Sequence, residues 1–200
     1  MSEADGPVFP STPPPRIDLP GGRALVRCSA DRAPDLVAAV DESLEHLRPW
    51  MAWAAEPASE ASMAVFLATA EELWDQGRDF GFHLVEGPDD RIIGGCGLHG
   101  RIGQRGLEIG YWVHVDRIGQ GIATDLARAL TEAAFAIEGI ERVRIQCEDT
   151  NVRSARVPEK LGYEPLGVGV PDDGPCAGRP TQAWVVTRAH WMTASASARP

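Results

Sequence analysis

The chain has 200 residues, 44% of them hydrophobic, with a formal charge of −10 and four cysteines. That is enough apolar material for one well-buried core, so one large domain is expected. The charge disfavours a nucleic-acid surface, and there is no run of about eighteen apolar residues to span a membrane. Cys28, Cys96, Cys147 and Cys176 are far apart and form no CxxC pair, which argues against a zinc site and a disulfide scaffold and points to a reduced, cytoplasmic protein.

The opening stretch MSEADGPVFPSTPPPRIDLP has neither the basic nor the apolar region of a signal peptide. It reads as a proline-rich flexible arm over residues 1–21, with folding expected from Gly22. RALVRCSA (23–30) alternates as a strand, and Asp31 can cap a helix carrying Leu36, Val37, Val40, Leu44 and Leu47. HLRPWMAWAAEP breaks that helix at Pro49 and offers Trp50 and Trp53. A second helix fits residues 59–76, where Met63, Phe66, Leu67, Ala70 and Trp74 share one face. FGFHLVEGPDDRIIGGCGLHG reads as a hairpin around Gly-Pro-Asp-Asp, and LEIGYWVHV as the next strand. A helix over 121–137 carries Ile122, Leu126, Leu130, Ala133, Ala134 and Ile137. It is followed by the strand RVRIQCE, a short helix in NVRSARVPEKLG ended by Gly162, the strand YEPLG and a last strand in TQAWVVTRAHW. This order predicts an α+β sheet of mixed direction.

Between the strand LEIGYWVHV and its helix lies RIGQGIAT (117–124). A helix entered through glycines exposes several backbone N–H groups and the positive end of its dipole, which suits a pyrophosphate. The glycines alone fit a ligand-free turn equally well. A dinucleotide fingerprint would need a further βαβ series, and only one more strand–helix–strand unit fits before the chain ends. A P-loop would need a Lys-Ser/Thr pair, which is absent.

The stretch LEIGYWVHVDRIGQGIATDLARAL followed by RVRIQCEDTNVRSARVPEKLGYEPLG strongly resembles the acyl-CoA-binding core of the GNAT acetyltransferase superfamily. The likeness is to its RimJ/RimL-type branch of ribosomal-protein N-terminal acetyltransferases, runs from about residue 23 to 191, and includes LRPWMAW. It implies a single GNAT-fold domain over 22–192, with a mixed sheet of about seven strands and about four flanking helices, and a flexible tail over 193–200. It also implies that the amides of Ile118, Gly119, Gln120, Gly121, Ile122 and Ala123, helped by the Thr124 hydroxyl, hold the CoA pyrophosphate. Ile118 stands where the family has Gln or Arg, and Arg117 lies one position early. Trp112, Val113 and Val115 would present backbone groups to the pantetheine arm and the thioester carbonyl from a strand splayed by a bulge.

The resemblance implies Glu108 as a general base for the acceptor amine. It places at Pro158 the tyrosine that many members use to protonate the CoA thiolate, leaving Ser154, one turn earlier, as the donor, with Asn151 on the pantetheine. Pro158 also removes the helical N–H that would bond the Ser154 carbonyl, so a kink is expected. Trp50, Trp53, His83 and His99 are candidates for the acceptor site, while Tyr111 and Tyr163 read as core. The loop 168–181, with Asp172 and Asp173, reads as a wall or lid facing a cation. The function implied is acetyl transfer from acetyl-CoA, without metal, to a primary amine such as a basic protein N-terminus. A small amine, a lysine, a succinyl donor, a CoA-binding sensor and a nicotinamide-dependent oxidoreductase stand as alternatives. A homodimer with an exchanged arm is a further option.

Overall fold

The computed structural model describes residues 6–172 and 174–197, with side chains through 194. The strands are β1 (Arg16–Leu19), β2 (Arg23–Arg27), β3 (Asp79–Glu86), β4 (Arg91–His99), β5 (Gly106–Val113), β6 (Arg142–Glu148), β7 (Glu164–Gly169) and β8 (Thr181–Thr187). The helices are α1 (Ala33–Leu47), α2 (Glu60–Asp75), α3 (Ile122–Ala136), α4 (Val152–Lys160) and α5 (Arg188–Ser197). The strands form one sheet in the order β1-β2-β3-β4-β5-β6-β8-β7. Every pairing is antiparallel except β5 with β6, which α3 joins as a crossover. The α+β expectation holds, with one strand and one helix more than the resemblance implies.

Period-two alternation sorts the strand residues onto two faces. On one, Leu25, Phe80, Phe82, Leu84, Leu98, Leu107, Ile109, Val143 and Ile145 pack with Ile122, Leu126 and Leu130 of α3 and Val157 of α4. On the other, Ala24, Val85 and Ile92 pack with Leu36 and Val40 of α1 and Met63 and Leu67 of α2. Helix α2 starts on a reciprocal cap, in which Ser59 Oγ accepts from the Ser62 N–H and Ser62 Oγ accepts from the Ser59 N–H, each at 3.1 Å.

Four readings need correction. The segment before Gly22 is not a free arm. Arg16–Leu19 is the edge strand β1, and Phe9 is buried against Phe80 with its N–H on the Gly77 carbonyl at 2.8 Å. Proline content masked three apolar anchors, Phe9, Ile17 and Leu19, and β1 covers the otherwise bare edge of β2. Residues 1–5 lie outside the described residues. Asp31 does not cap α1, because a 3-10 turn at Ala30–Arg32 precedes that helix and Pro34 opens it. The last strand ends at Thr187, and residues 188–197 form α5, so most of the expected tail is helical. Trp191 is buried edge-on to Tyr163, which anchors that helix.

Candidate active site

β5 and β6 pair only from Gly106 with Arg142 to Ile109 with Ile145. Beyond that row they part, and β5 runs on to Val113 with β4 alone beside it. The His114 N–H donates to the Ile93 carbonyl at 2.8 Å. By antiparallel alternation, Gly110 and Trp112 therefore turn their backbone groups toward β4, while Tyr111 and Val113 turn theirs into the gap. This narrows the expectation for the strand. Val113 faces the gap, Trp112 does not, and the Val115 N–H is already taken by Ser43 Oγ of α1 at 3.2 Å. The gap comes from loss of pairing; β5 itself carries no register shift.

The gap opens onto the turn 117–121. Gly119 and Gly121 have φ of 78° and 81°, a left-handed conformation that other residues rarely adopt. The Thr124 and Asp125 N–H groups bond back to the Gly121 carbonyl. Among the described residues, the N–H groups of Gly119, Gln120, Gly121, Ile122 and Ala123 donate to no backbone carbonyl, and they stand at the positive end of α3. The turn is braced from behind. Buried His114 bonds Glu42 of α1 through Nε2 at 2.9 Å and accepts the Asp116 N–H on Nδ1 at 3.2 Å. Arg117 is held by Glu86 of β3 at 2.9 Å, so it does not make good the missing side chain at Ile118. Gln120 is turned back to the Asp116 carbonyl at 3.3 Å. What the turn offers an anion is backbone.

On the far side of the gap, Asn151 caps α4, its Oδ1 accepting the Ser154 N–H at 3.1 Å. The Ser154 hydroxyl lies 2.9 Å from Tyr111 Oη, and that same Oη is 3.4 Å from the Ser154 carbonyl. Pro158 sits inside α4 and leaves that carbonyl without its helical donor, and the phenol approaches the vacancy. Burial pushes the Tyr111 hydroxyl above its ordinary titration range, so it stays protonated and available as a donor. Tyr111 packs against the main core as expected, and its hydroxyl reaches Ser154 of α4 at the open edge of β5.

Glu108 is 2% exposed, and Arg144 holds its Oε2 at 2.6 and 2.8 Å while Arg101 reaches Oε1 at 3.4 Å. The carboxylate expected to serve as base is thus enclosed by two guanidinium groups. His83 is 1% exposed and accepts the Ser29 N–H on Nε2 at 3.3 Å, with Cys28 Sγ 4.0 Å from Nδ1. Burial lowers its pKa to about 4 and raises that of Cys28 to about 12, so neither is charged near neutral pH. His83 is thus packed between Cys28 and Ser29, which lie at its two ring nitrogens. Trp53 is half exposed and meets Trp112 edge-on at 6.3 Å, while Trp50 is half buried just after α1. His99 bonds Asp79 of β3 through Nδ1 at 2.8 Å. Of the acidic pair in the last loop, Asp173 lies outside the described residues. Among the described residues no cluster of His, Cys, Asp and Glu could hold a metal ion, and no helix is long and apolar enough to cross a membrane.

β5 and β6 thus part beside a helix N-terminus whose first amides have no backbone partner, with a serine–tyrosine hydroxyl pair at the split. Residues 24–164 match the family model of the acetyltransferase (GNAT) domain, and the chain belongs to that family. Its fold resembles RimL, a ribosomal L7/L12 α-N-protein acetyltransferase solved with coenzyme A, at 16% identity and a TM-score of 0.76, covering 86% of this chain and 97% of that one. It also resembles Mycobacterium smegmatis RimJ, solved with a CoA disulfide, at 21% identity and a TM-score of 0.75, covering 93% and 98%. Among curated relatives, an aminoglycoside N(6')-acetyltransferase of Klebsiella pneumoniae is 26% identical over 132 residues, 66% of this chain and 54% of that protein. The chain spans about half the length of such relatives, 48% and 54% for two of them.

Proposed function

We propose that this protein transfers an acetyl group from acetyl-CoA directly to a primary amine, with the α-amino group of a protein or peptide as acceptor. The observation that carries the reading is the split between β5 and β6, which leads into the free N–H groups of residues 119–123. Those amides would hold the pyrophosphate, with the Thr124 hydroxyl beside them. The free edge at Tyr111 and Val113 would hold the pantetheine and polarise the thioester carbonyl, and Asn151 would flank the arm. Ser154, paired with Tyr111, would donate to the departing thiolate. Trp50, Trp53 and His99 would border the acceptor. Likeness to RimL and RimJ supports a protein N-terminus as acceptor, and the four unpaired thiols fit a reducing cytoplasm.

The test is release of CoA thiol from acetyl-CoA across a panel of amines: peptides beginning with serine or alanine, a peptide whose only free amine is lysine, and kanamycin. Turnover is expected with the first group. Calorimetry on Gly121→Val, where a β-branched residue cannot hold φ of 81° without strain, should show acetyl-CoA affinity reduced at least tenfold in a folded protein. Acetyl-CoA binding without thiol release for any amine would make the protein a sensor, and unchanged affinity in Gly121→Val would remove the backbone cradle.

A further inference from the structure

The second face of the sheet carries two successive rows that have no apolar side chains of their own. Register places Asp79, His99, Glu108 and Arg144 side by side across β3, β4, β5 and β6. The next row is glycine: Gly81, Gly97 and Gly110 stand in register across β3, β4 and β5. The row offers no side chain of its own: Gly81 lies against Cys28 and Ala70, Gly97 is buried under the His99 ring, and Gly110 is half buried, which leaves a shallow trough at the β5 end. Trp112 closes it on one side, its indole lying over Gly95, and Trp53 stands beside Trp112. Gly110 is the first residue beyond the last paired row of β5 and β6, so the trough ends where the sheet opens.

The imidazole of His99 leans over this floor. A Cβ added at Gly97 would come within 3.0 Å of Nε2, and one at Gly110 within 3.1 Å. Nδ1 is fixed by Asp79, whose two oxygens lie 2.8 and 3.0 Å away. Since a carboxylate only accepts, the Nδ1 proton points at Asp79 and the Nε2 lone pair points into the trough. Among the described residues Nε2 has no hydrogen-bond partner.

We infer that the Asp79–His99 pair, and not Glu108, is the base that takes the proton from the acceptor amine, with His99 the catalytic residue and Asp79 its positioning partner. The inference rests on the acetyl-transfer reading above. Accepting a proton at Glu108 would strip Arg144, held at 2.6 Å, of its counter-charge, whereas Nε2 is unencumbered and stands over Gly110 at the edge of the gap. In the step, Nε2 removes one proton from the ammonium, and the freed nitrogen pair forms the C–N bond to the acyl carbon. The C–S bond breaks as its electron pair leaves on sulfur. The second nitrogen proton passes to solvent, the thiolate takes one from the Ser154–Tyr111 pair, which solvent replenishes, and imidazolium releases its own. Base and acid thus act from opposite faces of the sheet through the same split. An imidazole base suits an α-ammonium, which titrates at about 7.7–8.0, better than a lysine ammonium at about 10.4.

The experiment uses the full chain, acetyl-CoA and a peptide beginning with alanine. His99→Gln should lower kcat by about 10²- to 10⁴-fold with acetyl-CoA affinity unchanged by calorimetry. The deficit should shrink as pH rises and free amine becomes abundant. The groups facing His99 are Asp79 from β3 and Glu108 from β5, with Arg144 of β6 and Arg101 behind Glu108; Cys28 lies beyond Gly81. His99→Ala should regain part of its rate with added imidazole, and Asp79→Asn, which can present an N–H to Nδ1 and so drive the proton onto Nε2, should approach the His99→Gln rate. Circular dichroism checks folding, and imidazole rescue separates lost chemistry from lost structure. Wild-type turnover and pH profile in His99→Gln overturn this inference alone, as does a loss that imidazole and high pH leave untouched. Absence of thiol release in the wild type across the amine panel overturns the acetyl-transfer reading itself, and this inference with it.

Discussion

The two faces of one sheet are built on opposite rules. Toward α3 and α4, β3 to β6 present an unbroken apolar field, with Phe80, Leu84, Leu98, Leu107, Ile109, Val143 and Ile145 each no more than 2% exposed. Toward α1 and α2, the same strands present glycines and a row of charges, and apolar packing is confined to one end around Val85 and Ile92. The first face carries the larger share of the buried apolar side chains. That frees the second face to carry polar groups and to leave a trough open.

Removing matter from each face should therefore have different consequences. Leu126→Ala, in the apolar field, should cost about 2–5 kcal/mol in urea unfolding and leave the acetyl-CoA affinity of the folded protein nearly intact. Glu108→Gln should also act on stability, by about 3 kcal/mol, the lower end for a broken buried pair because Arg144 and Arg101 retain some solvent. If Glu108 were instead the base, the folded variant would also lose turnover, and the contrast between the faces would fail.

Acidification probes the same contrast. His83 has an ordinary pKa near 6.5 when unfolded and about 4 when folded, so between those values the unfolded chain binds the extra proton. Stability should accordingly fall as pH drops through that window, by at most about 3 kcal/mol for this group. Urea titrations at pH 7 and 4.5 should show a smaller acid loss in His83→Gln than in the wild type. Equal losses would place the acid sensitivity elsewhere.

The trough itself can be filled. At Gly95 an added Cβ would lie 2.7 Å from Trp112 Nε1, a side-chain atom that can swing away, so Gly95→Ala should cost about 1–3 kcal/mol at most. Its sharper mark should be a changed tryptophan emission and a raised KM for the amine, with acetyl-CoA affinity preserved. The smallest stability effect is expected for Ser154→Ala, which keeps the Asn151 cap because that bond uses the Ser154 backbone. Turnover should still drop, and adding Tyr111→Phe should cost less than the product of the single losses, since the two hydroxyls form one unit.

Much of this was legible before any coordinates. Helical periodicity gave α2 and α3 to within a residue or so, and the spacing of Gly119, Gly121 and Asn151 located the turn and the cap. Local signals suffice there because each depends on neighbours a few residues away. The sequence did not reveal which residues would meet across strands. The register shift between Leu84 and Val85 offsets the β3–β4 hairpin by one residue. Without it Asp79 would face Leu98; with it Asp79 faces His99, and the base pair exists. Composition also misjudged the proline-rich start, since whether Phe9 and Ile17 pack depends on what lies opposite them in the fold. The sequence by itself determined the elements from β2 to β8, their order and the glycine turn before α3, because hydrogen bonding and burial within a few residues decide these. The tertiary structure alone decided that Glu108 is enclosed by arginines, that Tyr111 completes the gap left by Pro158, and that an imidazole stands over a floor of glycines, because each depends on strand register between segments distant in the chain.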